Sequence, residues 1–272
     1  MHSLVMVPLD GSPDAEAALP WALLLARKSR GSVKFVSVHA PPAVFLDGQT
    51  VVGSIVPDDE IREIEANYLT NVISRFDAQK IPATNDIIDG SVVTSLAEYA
   101  KRVQPQWIVM ISHGRGLVAR FFLGETASEF VRESPCPVLL VHPHHETADI
   151  AVPPPACHVL VPLDGSVLAE RMIEPAKQFA QTVGADLRLM KVGSPDAAAY
   201  LDPIALRVGA TFEVREGNPT DAIVASAESR PGTIIALATH GRGGLKKMAW
   251  GNVADAVVRH TKLPVLVMRP TE

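Results

Sequence analysis

Two carboxylates and two glycine loops are the residues of this chain whose types and spacing could do chemistry. Asp10 and Asp164 each end a short apolar run and precede Gly-Ser, in a VPLDGS stretch at Val7–Ser12 that returns at Val161–Ser166. Downstream, Ser112-His113-Gly114-Arg115-Gly116 returns as Thr239-His240-Gly241-Arg242-Gly243, and Gly124 returns as Gly251. Glycines let backbone N–H groups approach anionic oxygens, and a glycine opening a helix leaves first-turn amides without internal partners. The chemistry on offer is anion binding, foremost of phosphate. Each feature also has a plain structural alternative. Asp10 and Asp164 would serve equally as caps of the turn into a helix, and the glycine loops as tight strand-to-helix turns. Ser112-His113 and Thr239-His240 suggest a nucleophile beside a base, but neighbours at a strand end point to opposite faces, which argues against catalysis.

Other reactive side chains carry less. His142, His144, His145, Cys157 and His158 are metal-ligand types without a ligand spacing, so no metal site is expected. Cys136, between two prolines, reads as a small core residue, and both cysteines are expected as free thiols. Trp107, Trp250, Phe121 and Phe122 read as packing residues rather than a base-stacking platform.

The chain is a duplication. Asp10 maps to Asp164 at an offset of 154, whereas Gly114, Gly124 and Pro137 map to Gly241, Gly251 and Pro264 at 127, so the second copy lacks 27 residues. Gly90 and Gly217 already stand at the shorter offset, which places the deletion between about Val192 and Gly217. The expected organisation is a first unit over 1–143, a proline-rich linker over 144–156, and a second unit with a shortened middle over 157–272, each burying its own core.

A formal net charge of -5 gives nucleic acid no electrostatic reason to bind. The most apolar helical stretch, 17–26, is too short to cross a bilayer, and the first residues run straight into a strand without a signal-type segment, so a cytoplasmic protein is expected.

The elements that must position these residues alternate. Leu4–Leu9 reads as a buried strand, followed by a helix over 13–29 bent at Pro20, with Pro175 bending its counterpart. Val33–His39 and Leu187–Val192 are second strands. Ile61, Ile64, Leu69, Val72, Ile73 and Phe76 recur at helical spacing, predicting a long helix over 58–79 packed by that face; in the second copy 195–208 offers only a short one. Third strands end near Asp89 and Glu216, helices follow over 92–103 and 220–229, and then strands over 107–111 and 233–238. Each copy closes with its glycine loop, a helix, and a last strand at 138–141 or 265–268. Strands apolar on both faces and alternating with helices predict an α/β fold: two tandem doubly wound parallel-sheet domains, Rossmann-like, with ligands beyond the carboxyl ends of the strands.

On the VPLDGS strand and turn, the H-G-R-G loops, the glycines at 124 and 251, and the closing PCPVLLV and LPVLV strands, the chain resembles the universal stress proteins in their tandem form. That resemblance implies the adenine nucleotide alpha hydrolase-like variant of the fold and a stress-response role. It also implies that the last strands of the two units meet, so that one chain equals a dimer of single-unit proteins, with further homodimerisation and a protein partner left open. Nucleotide-binding members carry G-x-x-G, nine residues, then G-S or G-T, with the Asp after the first strand and a Val ending the second near the adenosine. Carried onto the second copy, the implied site is Pro162, Leu163, Asp164, Val192, Ala238, His240, Gly241, Gly251, Asn252 and Val253. There Ala238 adds only a methyl, and the Asn252 amide still donates. In the first copy the matching positions are Asp10, Val38, Gly114 and Gly124, but Ile111 crowds the loop and Glu125 puts an anion where phosphate would sit. At roughly 5 Å and an effective dielectric near 20, one such repulsion costs about 3 kcal/mol, more than about a hundredfold in affinity. The expectation is ATP, with Mg accompanying it, or another adenine nucleotide, mainly in the second copy. Catalysis is not expected, since the H-x-G-H signature of the related transferases is absent. The alternatives are a nucleotide-free interaction protein of the same fold and a slow nucleotide hydrolase.

Overall fold

In the computed structural model, residues 3–39, 43–46, 49–52, 57–112, 124–142, 150, 152, 154–239 and 251–269 are described. In the first half the elements are β1 (Leu4–Pro8), α1 (Leu19–Ser29), β2 (Ser32–His39), β3 (Ala43–Leu46), β4 (Gln49–Val52), α2 (Asp58–Asp77), β5 (Ala83–Asp89), α3 (Val92–Val103), β6 (Trp107–Ile111), α4 (Glu125–Glu133) and β7 (Val138–Val141). The second half contains β8 (His158–Pro162), α5 (Val167–Glu170), α6 (Ile173–Val183), β9 (Asp186–Val192), α7 (Ala198–Val208), β10 (Thr211–Arg215), α8 (Pro219–Glu228), β11 (Thr233–Ala238), α9 (Asn252–His260) and β12 (Val265–Met268).

Ten strands form one sheet in the order β10-β9-β8-β11-β12-β7-β6-β1-β2-β5. Within this sheet every pairing inside a half is parallel, and β7 and β12 join the halves by its one antiparallel pairing, Leu139 opposite Leu266; β3 and β4 pair antiparallel in a separate two-stranded sheet. The two last strands therefore meet, as the resemblance implied, and the Arg269 guanidinium donates to the Arg132 carbonyl across the same seam at 2.8 Å.

The buried side chains form one layer on each face of the sheet, and each layer contains residues of both halves. On one face α1, α2, α6 and α7 bury a layer that runs through both halves, with Trp107 of β6 set edge-on against Phe179 of α6 at 5.3 Å. The other face is covered by α3, α4, α8 and α9. Ile150, before the second half, is buried in the first of these layers.

Two helix expectations change. The helix expected over 13–29 divides between Ala18 and Leu19, just ahead of Pro20. A 3₁₀ turn over Ala15–Ala18 precedes α1, and Pro20 stands in the first turn of α1, where its missing N–H has no partner to lose. In the second half α5 ends at Glu170, and Pro175 again lies in the first turn of the helix that follows, α6. On α2, Leu69, Val72 and Phe76 are buried, but Ile64 is 60% exposed and does not belong to the packed face. The 27-residue difference resolves into the β3–β4 hairpin and a 20-residue α2, against an 11-residue α7 in the second half.

Candidate functional site

The first-half site lies where the winding of the sheet reverses, at the carboxyl ends of β1 and β6. A cavity of about 280 Å³ opens there. Val36 and Val38 enter it from alternate positions of β2, Val92 and Leu96 from one face of α3, and Met110 from β6. Asp10, Ser112, Gly124 and Thr126 supply its polar edge. Of the positions carried over for this half, Asp10, Val38 and Gly124 line the cavity, and Gly114 lies outside the described residues. Ile111, which was expected to obstruct, is part of the wall. Val92, Leu96 and Val36 were not singled out from sequence, although the i, i+4 pair on α3 and the i, i+2 pair on β2 carried the signal.

Both Asp-Gly-Ser turns have the same geometry. Asp10 Oδ1 accepts from the Ser12 amide at 2.9 Å, and Ser12 Oγ accepts from the Ala15 amide at 3.2 Å. Asp164 Oδ1 accepts from the Ser166 amide at 2.8 Å, and Ser166 Oγ caps α5 by accepting from the Ala169 amide at 3.1 Å. Gly11 and Gly165 take φ of +74° and +95°, the left-handed region that glycine enters without cost. The turn-capping alternative is thus realised by one oxygen of each Asp.

The two halves differ around these turns. In the second, Pro162 and Leu163 lead into Asp164, Val192 ends β9, Ala238 ends β11, and Gly251, Asn252 and Val253 open α9; His240 and Gly241 lie outside the described residues. Lys191, not singled out from sequence, reaches over the turn: its ammonium donates to the Asp164 carbonyl at 2.6 Å and lies over the Tyr200 ring at 5.1 Å. Burial pushes the Asp164 carboxyl up, but hydrogen bonds from Ser166 and the Lys191 charge together bring it below the ordinary carboxylate range. The position matching Lys191 in the first half is Ser37, which is buried and carries no charge.

Gly124 and Gly251 cap α4 and α9 without any side-chain hydrogen bond, whereas α8 is capped by Asn218, which accepts from the Thr220 amide at 2.9 Å. Among the described residues no side chain caps the first turn of α4 or α9. Next in chain stand Glu125 and Asn252, a carboxylate in one half and a neutral amide in the other. Ser112 Oγ pairs with His142 Nδ1 at 3.0 Å, and Ser112 is fully buried; His113 lies outside the described residues. Cys136 and Cys157 are free thiols; burial pushes the Cys136 thiol up to about 12. No helix of the described residues is long and apolar enough to cross a membrane.

The model of the Universal stress protein family matches residues 1–142 and 204–269, so its second match begins inside α7. A universal stress protein of Mycobacterium tuberculosis strain H37Rv is 26% identical over 97% of this chain and 96% of its own length. Another from Mycolicibacterium smegmatis is 24% identical over 98% and 97%. The fold is shared with the crystal structure of a universal stress protein from Archaeoglobus fulgidus, with a TM-score of 0.78 and 23% identity over 98% of both chains.

Proposed function

The chain belongs to the universal stress protein family, and on that premise we propose that it acts in the cytoplasm as a stress-response binding module, not as an enzyme. Its ligand is an adenine nucleotide, ATP with Mg, held mainly in the second half by Asp164, Val192, Ala238, Gly251 and Asn252 and by the loop carrying His240 and Gly241. The observation that carries this reading is the contrast at matched helix starts, Glu125 on α4 against Asn252 on α9. Lys191 supports it, because it places a cation beside Asp164 where the matching first-half residue is the uncharged Ser37. Among the described residues no three His, Cys, Asp or Glu side chains gather as a metal site requires, so Mg would arrive with the nucleotide. The first-half cavity, apolar-walled and edged by Asp10, suits an uncharged heterocycle better than a triphosphate.

Calorimetric titration with ATP and with adenosine tests this directly. Wild type should show one strong ATP site. Asn252→Glu should weaken it more than about a hundredfold, on the Coulomb estimate for a single carboxylate near phosphate. Glu125→Asn should add a second ATP site. Two equal ATP sites in wild type, or an Asn252→Glu variant that binds ATP unchanged, would overturn the assignment. A second reading, a nucleotide-free interaction protein of the same fold, draws on the engagement of Asp10 and Asp164 in their own turns. Mass spectrometry of gently purified protein separates the two: carried-over adenine nucleotide supports the first reading.

A further inference from the structure

His39 ends β2 and is 1% exposed, yet each of its ring nitrogens meets a carboxylate. Nε2 lies 2.8 Å from Asp58 Oδ1, and Nδ1 lies 2.9 Å from Glu65 Oε2. A neutral imidazole has one N–H and can donate to only one of them; both contacts together require the imidazolium. Asp58 opens α2 and Glu65 stands two turns further on, so the charged ring ties the start of α2 to the end of β2. The chain between His39 and Asp58 carries the β3–β4 hairpin, the part of the first half that the second half lacks. There the position after Val192 is Gly193, which has no ring to offer.

The charges facing this ring come from two elements. On α2, besides Asp58 and Glu65, Arg62 donates to Asp58 at 3.0 Å and also pairs with Asp89. Asp89 belongs to β5 and is the register partner of His39. Across β1, Asp10 is held in its own turn with Ser12, and Glu16 is paired with Arg75 at 2.5 Å. Lys34 and Asp86, lower on β2 and β5, pair with each other at 3.3 Å.

We propose that His39, Asp58 and Glu65 form a pH-sensitive clasp that fastens the hairpin and the first turns of α2 to the sheet, and that it opens as pH rises. The hydrogen bond to Asp58 is the largest influence on the ring and, with Glu65, outweighs burial and Arg62, holding the imidazole above the ordinary value of 6.5. A group raised in this way contributes stability that is complete below its unfolded pKa and is lost as pH climbs through the folded one. Once the proton leaves, one nitrogen presents a lone pair to a carboxylate. Val38, the preceding residue, lines the first-half cavity, so the clasp opens beside its rim. None of this depends on what ligand the protein takes.

Histidine side-chain NMR titration and amide hydrogen exchange on the full chain test the clasp. His39 should lose its proton at higher pH than a free histidine, and Asp58→Asn and Glu65→Gln should each lower that midpoint. After correction for intrinsic exchange, amides over 58–66 should open roughly tenfold or more above the midpoint, as expected from losing a charge-assisted hydrogen bond. In His39→Gln that dependence should vanish; should this variant fail to fold, the two carboxylate variants still report through the His39 midpoint. A His39 that titrates like free histidine and is unmoved by both variants overturns the clasp. So does exchange over 58–66 that follows the intrinsic pH dependence alone.

Discussion

Truncating Phe179 tests whether the two halves unfold as one body. Phe179 belongs to the second half, is fully buried on α6, and meets the ring of Trp107 of the first half at 5.3 Å with the planes perpendicular. Phe179→Ala removes a large buried side chain and leaves a cavity, a change that costs about 3–5 kcal/mol, of which the edge-to-face pair accounts for roughly 0.5–1.5 kcal/mol. A chain of this size loses roughly 2–4 °C of melting temperature per kcal/mol, so the midpoint should fall by about 6–20 °C.

The assay is guanidinium and thermal unfolding followed by tryptophan fluorescence and far-ultraviolet circular dichroism together. Because a single buried layer and a single sheet run through both halves, wild type and Phe179→Ala should each unfold in one transition, with coincident probes and an unchanged denaturant slope. Phe35→Ala provides the comparison: its ring partner, Phe76 at 5.0 Å, lies in the same half, and it should lower the same single transition. Two transitions, with Phe35→Ala moving one and Phe179→Ala the other, would refute the continuous core. So would a loss below about 1 kcal/mol, which is less than truncation of a buried aromatic allows.

Three further outcomes follow from named groups. Glu213 faces the buried Arg188 at 3.3 Å, so Glu213→Ala should cost about 3–5 kcal/mol by stranding the cation, while Arg188→Met with Glu213→Leu should recover most of that in denaturant melts. Burial pushes Asp86 up, but the Tyr99 hydroxyl and the Lys34 ammonium bring it below the ordinary carboxylate range. Its contribution is therefore present above the unfolded pKa near 4 and lost as pH falls; Asp86→Asn should flatten the acid limb of stability measured over about pH 2–5. Gly11 has φ of +74° with open space where a Cβ would stand, so Gly11→Ala should cost about 1–2 kcal/mol through the backbone alone, and a gain in melting temperature would contradict the left-handed turn.

How much of this could be read from sequence depended on how local each signal was. The strands over 107–111, 138–141, 233–238 and 265–268 were legible to the residue, because each is a β-branched apolar run bounded by turn formers. The β3–β4 hairpin was missed, although Asp47-Gly48 between two apolar stretches is a strong two-residue hairpin signal and the register pairs Leu46 with Gln49. Pro20 and Pro175 were assigned as bends because helical periodicity ran through them; the chain instead restarts each helix just before the proline. Asp10 and Asp164 were placed at strand ends correctly, but periodicity does not say that Lys191 folds back over one turn and not the other. The His39 clasp joins residues 19 and 26 positions apart and becomes visible only when α2 packs on the sheet.

The repeat explains why the halves diverge without losing the fold. On the α3 and α8 side of the sheet each half keeps a cation on its second strand, a carboxylate on its edge strand and a hydroxyl on the helix above. The first half uses Lys34, Asp86 and Tyr99, and the second uses Arg188, Glu213 and Ser226. The sizes are reciprocal: the long tyrosine goes with Lys34 and the short Asp86, and the small serine with the longer Arg188 and Glu213, while the ion pair spans 3.3 Å in both halves. Interior space is close to fully used, so a layer tolerates exchanges that conserve total volume and resists single ones. The charged network in each half is therefore constrained as a set, while the exposed helix starts of α4 and α9 carry no such packing constraint. Glu125 and Asn252 are both exposed, so they could diverge freely, and it is there, rather than in the charged networks, that the two copies differ in charge at a matched helix start.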